Sequence, residues 1–122
     1  MNKLCLNTRD DTLIIDLAQV AFIQASGNYT TVYYIAGQKQ MLTFGLSKME
    51  EYLRRAIPQG KPSSFVRMGR SLIINQTYLY AISTLKQRLT LSDCRGHSYS
   101  LPVPKLMLKK YKEVIAQNYS NG

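Results

Sequence analysis

Arg67 and Arg70 stand three residues apart in the stretch Phe65-Val66-Arg67-Met68-Gly69-Arg70-Ser71, which runs on into Leu72-Ile73-Ile74-Asn75. A buried strand has no use for two guanidinium groups so close to two isoleucines. A segment that leaves the core, meets a polyanion and returns does. Arg70 suits guanine or phosphate, because its planar fork matches the geometry of both. Arg67 admits two readings, a phosphate contact or an ion pair with a carboxylate at a sheet edge.

A second polar group, Asn28-Tyr29-Thr30-Thr31, follows Gly27. Short polar tips on a glycine turn can enter a nucleic-acid groove at little desolvation cost, and they are equally good hairpin residues. A third place is Lys105, at the expected start of a helix. A cation is disfavoured there by the helix dipole unless a phosphate accepts both the lysine and the helix amides. Lys109 and its neighbours Lys110 and Lys112 read otherwise as a solvated face.

The charge agrees with a polyanion as partner. The net charge is +9, and it is uneven along the 122 residues. Residues 1–60 hold six Lys/Arg against five Asp/Glu, whereas residues 61–112 hold ten against Asp93 alone. A concentrated basic field attracts phosphates, and release of their counterions supplies most sequence-independent affinity. The pattern also fits a basic domain with no such partner. A membrane surface is disfavoured, because no basic amphipathic helix carries an aromatic face.

Short strands and two helices must position these residues. Leu4 and Leu6, Leu13 to Ile15, and Val20 to Ile23 read as three strands. Tyr29 to Ile35 is rich in β-branched and aromatic residues, and Gln40 to Phe44 returns as its partner after Gly37. Alternation places Tyr29, Thr31 and Tyr33 on one face and Thr30, Val32 and Tyr34 on the other. Ser47-Lys48-Met49-Glu50 fits a capping box, with Leu46, Met49, Leu53 and Ile57 along one stripe and Pro58 and Gly60 as the stop. Further strands are expected over Phe65 to Met68, Ser71 to Asn75, Ala81 to Leu85, Arg88 to Ser92 and Ser98 to Leu101, with Asp93-Cys94-Arg95-Gly96 as a hairpin loop. Pro104 opens the last helix, in which Met107, Leu108, Tyr111 and Ile115 repeat at helical spacing. One domain with a single core is expected over 1–117, followed by a polar tail over 118–122.

Several chemistries have no support. His97 is the sole histidine and falls beside a hairpin glycine, so no nucleophile–base pair can be assembled. Cys5 and Cys94 are far apart and belong to no zinc spacing. No phosphate-cradling glycine motif occurs. No apolar run approaches the ~20 residues that span a bilayer. The chain reads as a cytoplasmic protein that needs no cofactor and is not an enzyme.

Taken in order, these elements resemble the LytTR DNA-binding domain of bacterial transcription regulators, from about Leu4 to Tyr111. That family's run of an aromatic, an Arg two residues on, a position often His, a basic residue, Ser and an apolar stretch ending in Asn is matched by Phe65, Arg67, Gly69, Arg70, Ser71 and Leu72 to Asn75. Its Gly-Asn-Tyr element is matched by Gly27-Asn28-Tyr29, and its terminal Pro-Val-Ser-Arg element corresponds to Pro102-Val103-Pro104-Lys105. The resemblance implies a mostly β fold, an elongated array of small antiparallel sheets with two short helices. It implies that loops read successive major grooves of promoter DNA, as two copies on direct repeats. Thr30 and Arg70 become the base readers, with Asn28, Tyr29, Arg67, Gly69, Ser71, Asn75, Lys105 and Lys109 as further DNA-binding candidates. Two departures matter: Gly69 stands where His is common, and Pro104 where a polar reader is usual, which leaves Lys105 to make the third contact. If the chain is cut from a longer regulator of a two-component system, a receiver or sensor domain would accompany it. A basic β module that binds RNA or a protein partner is the competing reading, kept open by the Tyr-rich segment 29–34.

Overall fold

A computed structural model describes residues 3–118, and these gather into two compact units, one running to Thr77 and the other starting at Tyr78. Ten strands form three antiparallel sheets, and two helices accompany them. The fold is mostly β.

The first unit opens with a hairpin of β1 (Lys3–Asn7) and β2 (Thr12–Asp16). Leu4 pairs with Ile15 and Leu6 with Leu13, so every second residue of β1 turns inward. A 3-10 turn over Leu17–Gln19 follows, capped by the Asp16 carboxylate, which accepts from the Ala18 amide at 3.2 Å. The main sheet has five strands: β3 (Val20–Ser26), β4 (Tyr29–Tyr34), β5 (Lys39–Leu42), β6 (Phe65–Arg67) and β7 (Leu72–Asn75). They lie in the order β5-β4-β3-β7-β6.

Ile23 pairs with Val32 on one side and Ile73 on the other, and all three are buried. Helix α1 (Leu46–Ala56) brings Leu46, Met49 and Leu53 to the same cluster, at the 3–4 residue spacing of a single helical stripe. Burying one such side chain contributes about 1.5–3 kcal/mol. The helix stops at Ile57, which is extended (φ −91°, ψ 129°) because the following Pro58 clashes with a helical predecessor.

The capping box expected at Ser47 does not form. Gly45 is the N-cap and no side chain caps the helix. Chain entry is fixed upstream, where the buried Thr30 hydroxyl donates to the Phe44 carbonyl at 2.7 Å, so the helix begins before Ser47. Glu50, the box's acid, is turned instead toward Arg67.

The second unit holds β8 (Leu79–Ser83), β9 (Arg88–Ser92) and β10 (Ser98–Pro102) in the order β10-β9-β8, followed by α2 (Lys105–Asn118). Strand β8 begins and ends two residues earlier than the apolar pattern suggests, leaving Leu85 in the β8–β9 turn, 87% exposed. The β9–β10 loop is the expected one. The Asp93 carboxylate accepts from the Arg95 and His97 amides and lies 2.7 Å from His97 Nδ1. Pro104 precedes α2 rather than opening it, its carbonyl accepting from the Leu108 amide at 3.1 Å. Asn118 ends α2, while residues 119–122 of the expected tail lie outside the described residues.

Candidate nucleic-acid interface

Two of the expected loops meet at one end of the five-stranded sheet. Gly27 and Asn28 form a two-residue turn between Ser26 and Tyr29, which pair across β3 and β4. Gly27 sits at φ +63°, a left-handed value that glycine adopts without steric cost at the first centre of such a turn. Strand β3 also pairs with β7, and the Ala25 amide donates to the Ser71 carbonyl at 2.8 Å just past the end of that ladder. The β3–β4 turn therefore lies beside the loop that joins β6 to β7. Asn28, Tyr29, Arg70 and Ser71 are all exposed there.

The β6–β7 loop is held tightly. The Met68 amide donates to the Leu72 carbonyl at 2.7 Å, which closes a connection of Gly69, Arg70 and Ser71. Gly69 adopts φ +91°, strained for any residue with a Cβ. That backbone explains why glycine suits a position where the resemblance more often places histidine. Arg67 folds back over the loop. Its Nε donates to the Gly69 carbonyl at 2.9 Å and one terminal nitrogen to the Arg70 carbonyl at 3.0 Å. Its other terminal nitrogen donates to Glu50 Oε1 on α1 at 3.1 Å. All three loop carbonyls, those of Gly69, Arg70 and Ser71, are thus bonded within the unit. What the loop turns outward is the Arg70 side chain, which is paired with no carboxylate among the described residues.

Three candidate residues are placed otherwise than expected. Thr30 is fully buried, on the face of β4 shared with Val32, and its hydroxyl is bonded to the Phe44 carbonyl. From that position its hydroxyl serves an internal partner. Asn75 is 2% exposed. Its amide nitrogen donates to the Val20 carbonyl at 2.9 Å, with the Leu17 carbonyl at 3.5 Å, and its oxygen accepts from the Thr77 amide at 3.1 Å. It braces the 3-10 turn and the start of β3 against β7. Arg67 follows the ion-pair reading, but with a helix carboxylate rather than one at the sheet edge.

The remaining candidates belong to the second unit, which carries seven Lys/Arg against Asp93 and Glu113. Lys105 and Lys109 are exposed on α2, and Lys112 continues the same stripe at spacings of four and three. Leu108 and Tyr111 are buried on another face of the helix.

Two charged residues of α1 were missed in the sequence. Glu50 lies seventeen positions from Arg67, so only tertiary structure joins them. Lys48, also on α1, holds its ammonium 5.8 Å from the Phe44 ring centroid and 6.0 Å from that of Tyr52. The Tyr-rich face is less open than an RNA-stacking platform needs. Tyr33 stacks on Phe22 with ring centroids 4.4 Å apart, and of the β4 aromatics only Tyr29 is exposed.

A family model described as the LytTr DNA-binding domain matches residues 10–116. The chain is also similar to a solved structure from Bacillus cereus described as a LytTr DNA-binding domain, with a TM-score of 0.63 and 20% identity over 94% of this chain and 97% of that one. No curated protein matches it.

Proposed function

This chain belongs to the LytTR family of DNA-binding domains, and from that premise we propose that it binds double-stranded DNA sequence-specifically to regulate bacterial transcription. The observation that carries the reading is the exposed Arg70 guanidinium on a loop whose carbonyls are all held inside the unit. Such a side chain can make two parallel hydrogen bonds to guanine O6 and N7 in a major groove, with little loop ordering left to be done on binding. Asn28, Tyr29 and Ser71, exposed at the same end of the sheet, contact backbone or base edges, while Lys105 and Lys109 contact phosphates. Two copies on spaced direct repeats within a promoter, in the cytoplasm, complete the proposal. No helix among the described residues is long and apolar enough to cross a membrane.

The competing reading, a module for RNA or a protein partner, loses its main support in the Tyr33–Phe22 stack. A competition experiment separates the two. At one fixed salt concentration, promoter duplex and single-stranded RNA of equal length compete for the protein. Displacement of DNA by equimolar RNA sinks the proposal.

A further inference from the structure

We infer that Glu50 and Arg67 form a clasp that aims Arg70 at DNA, so that a carboxylate on α1 sets sequence preference without meeting the nucleic acid. The inference rests on the DNA-binding reading above. Arg67 is then a positioning residue rather than a phosphate contact, and Glu50 positions Arg67.

The geometry is specific. One guanidinium spans three acceptors on two different elements: the Gly69 and Arg70 carbonyls in the loop, and Glu50 Oε1 on α1. The planar fork can do this because its donors are fixed in direction, whereas a lysine ammonium is a compact point charge on a flexible stem. Glu50 holds the fork in the plane that reaches both carbonyls. Its side chain is 39% exposed and that of Arg67 29%, so the ion pair contributes little to folding by itself. Its effect is on where the loop backbone points. The Arg70 carbonyl is pinned on the residue whose side chain reads the base, and Gly69 before it has the freest backbone in the loop. Without the clasp, that freedom returns and must be lost again on binding.

This arrangement makes a prediction opposite in sign to plain electrostatics. Glu50→Gln removes a negative charge near the interface, which by charge alone should tighten binding to any duplex. The clasp requires that it weaken preference for the right one. The test uses the whole 122-residue chain, a duplex selected by that chain from random sequence, and a scrambled duplex of equal length at fixed salt. Glu50→Gln and Arg67→Lys are each expected to lower the selected-to-scrambled affinity ratio about tenfold, the lower range for one well-made base contact. Affinity for scrambled duplex should stay level or rise in Glu50→Gln. In the double variant Glu50→Gln with Arg70→Ala, the ratio should fall no further than in Arg70→Ala alone, because both act through one contact. An unchanged ratio in both single variants overturns the clasp while the DNA reading stands. Full additivity with Arg70→Ala also overturns it. A ratio of one in the unaltered chain removes the sequence-specific reading, and the clasp with it.

Discussion

Replacing Asn75 with alanine should cost stability and leave sequence preference intact. The side chain is 2% exposed and has partners at both ends: the Val20 carbonyl at 2.9 Å accepts from its nitrogen, and the Thr77 amide at 3.1 Å donates to its oxygen. These partners fix which end of the amide is which, since carbonyls need a donor and the amide an acceptor. Alanine strands a carbonyl and an N–H, and each buried group left without a partner costs about 1–3 kcal/mol. Allowing for water reaching one of them, the loss should be about 2–4 kcal/mol. With a urea slope of about 2 kcal/mol/M, the unfolding midpoint should drop by about 1–2 M. The assay is urea unfolding followed by circular dichroism, paired with binding of the still-folded variant to selected and scrambled duplex. A midpoint within about 0.3 M of the unaltered chain refutes the bracing role. A normal midpoint with lost preference would return Asn75 to the DNA contacts.

Thr30→Val should behave likewise, losing about 1–2 kcal/mol with the hydrogen bond to Phe44 and no base preference; a relaxed base position in selected sites would contradict its burial. Lys105→Ala should weaken DNA binding while leaving the thermal melt level or slightly higher, because its charge at the start of α2 is unfavourable until a phosphate arrives. Unchanged binding would show that the chain does without a contact there. Affinity should fall steeply with salt, with a log–log slope of about −4 to −5 if about five phosphates are engaged, and Lys109→Ala should make the slope shallower by about one; a flat dependence would remove the phosphate contacts.

Much of the fold was legible because its signals are local. The alternation of Leu4 and Leu6, the stripe of Leu46, Met49 and Leu53, and the Asp-Gly loop between β9 and β10 each state their structure within a few residues. The face choice in β4 was not legible. Thr31 is 9% exposed and Thr30 fully buried, so the strand is covered on both sides around the hairpin base and the polar pattern misleads. Asn75 was misplaced for a related reason, and of the two readings of Arg67 the ion pair holds, with a carboxylate other than the one expected. A polar residue at the end of an apolar strand reads as a surface contact, yet the Val20 carbonyl at the start of β3 and a glutamate on α1 are what these two satisfy. Sequence spacing carries no trace of such partners. Arg70 is exposed on its loop, with no carboxylate partner among the described residues.

Arg70 carries the proposed base reading. The direct measurement is selection of bound sites from random duplex, followed by binding of Arg70→Ala to the selected duplex and a scrambled one. The unaltered chain should enrich a defined site. Arg70→Ala should lose about ten- to a hundredfold on that site, little on the scrambled duplex, and its own selected sites should be relaxed at one base position. An equal loss on both duplexes would make Arg70 a phosphate contact and contradict the central claim.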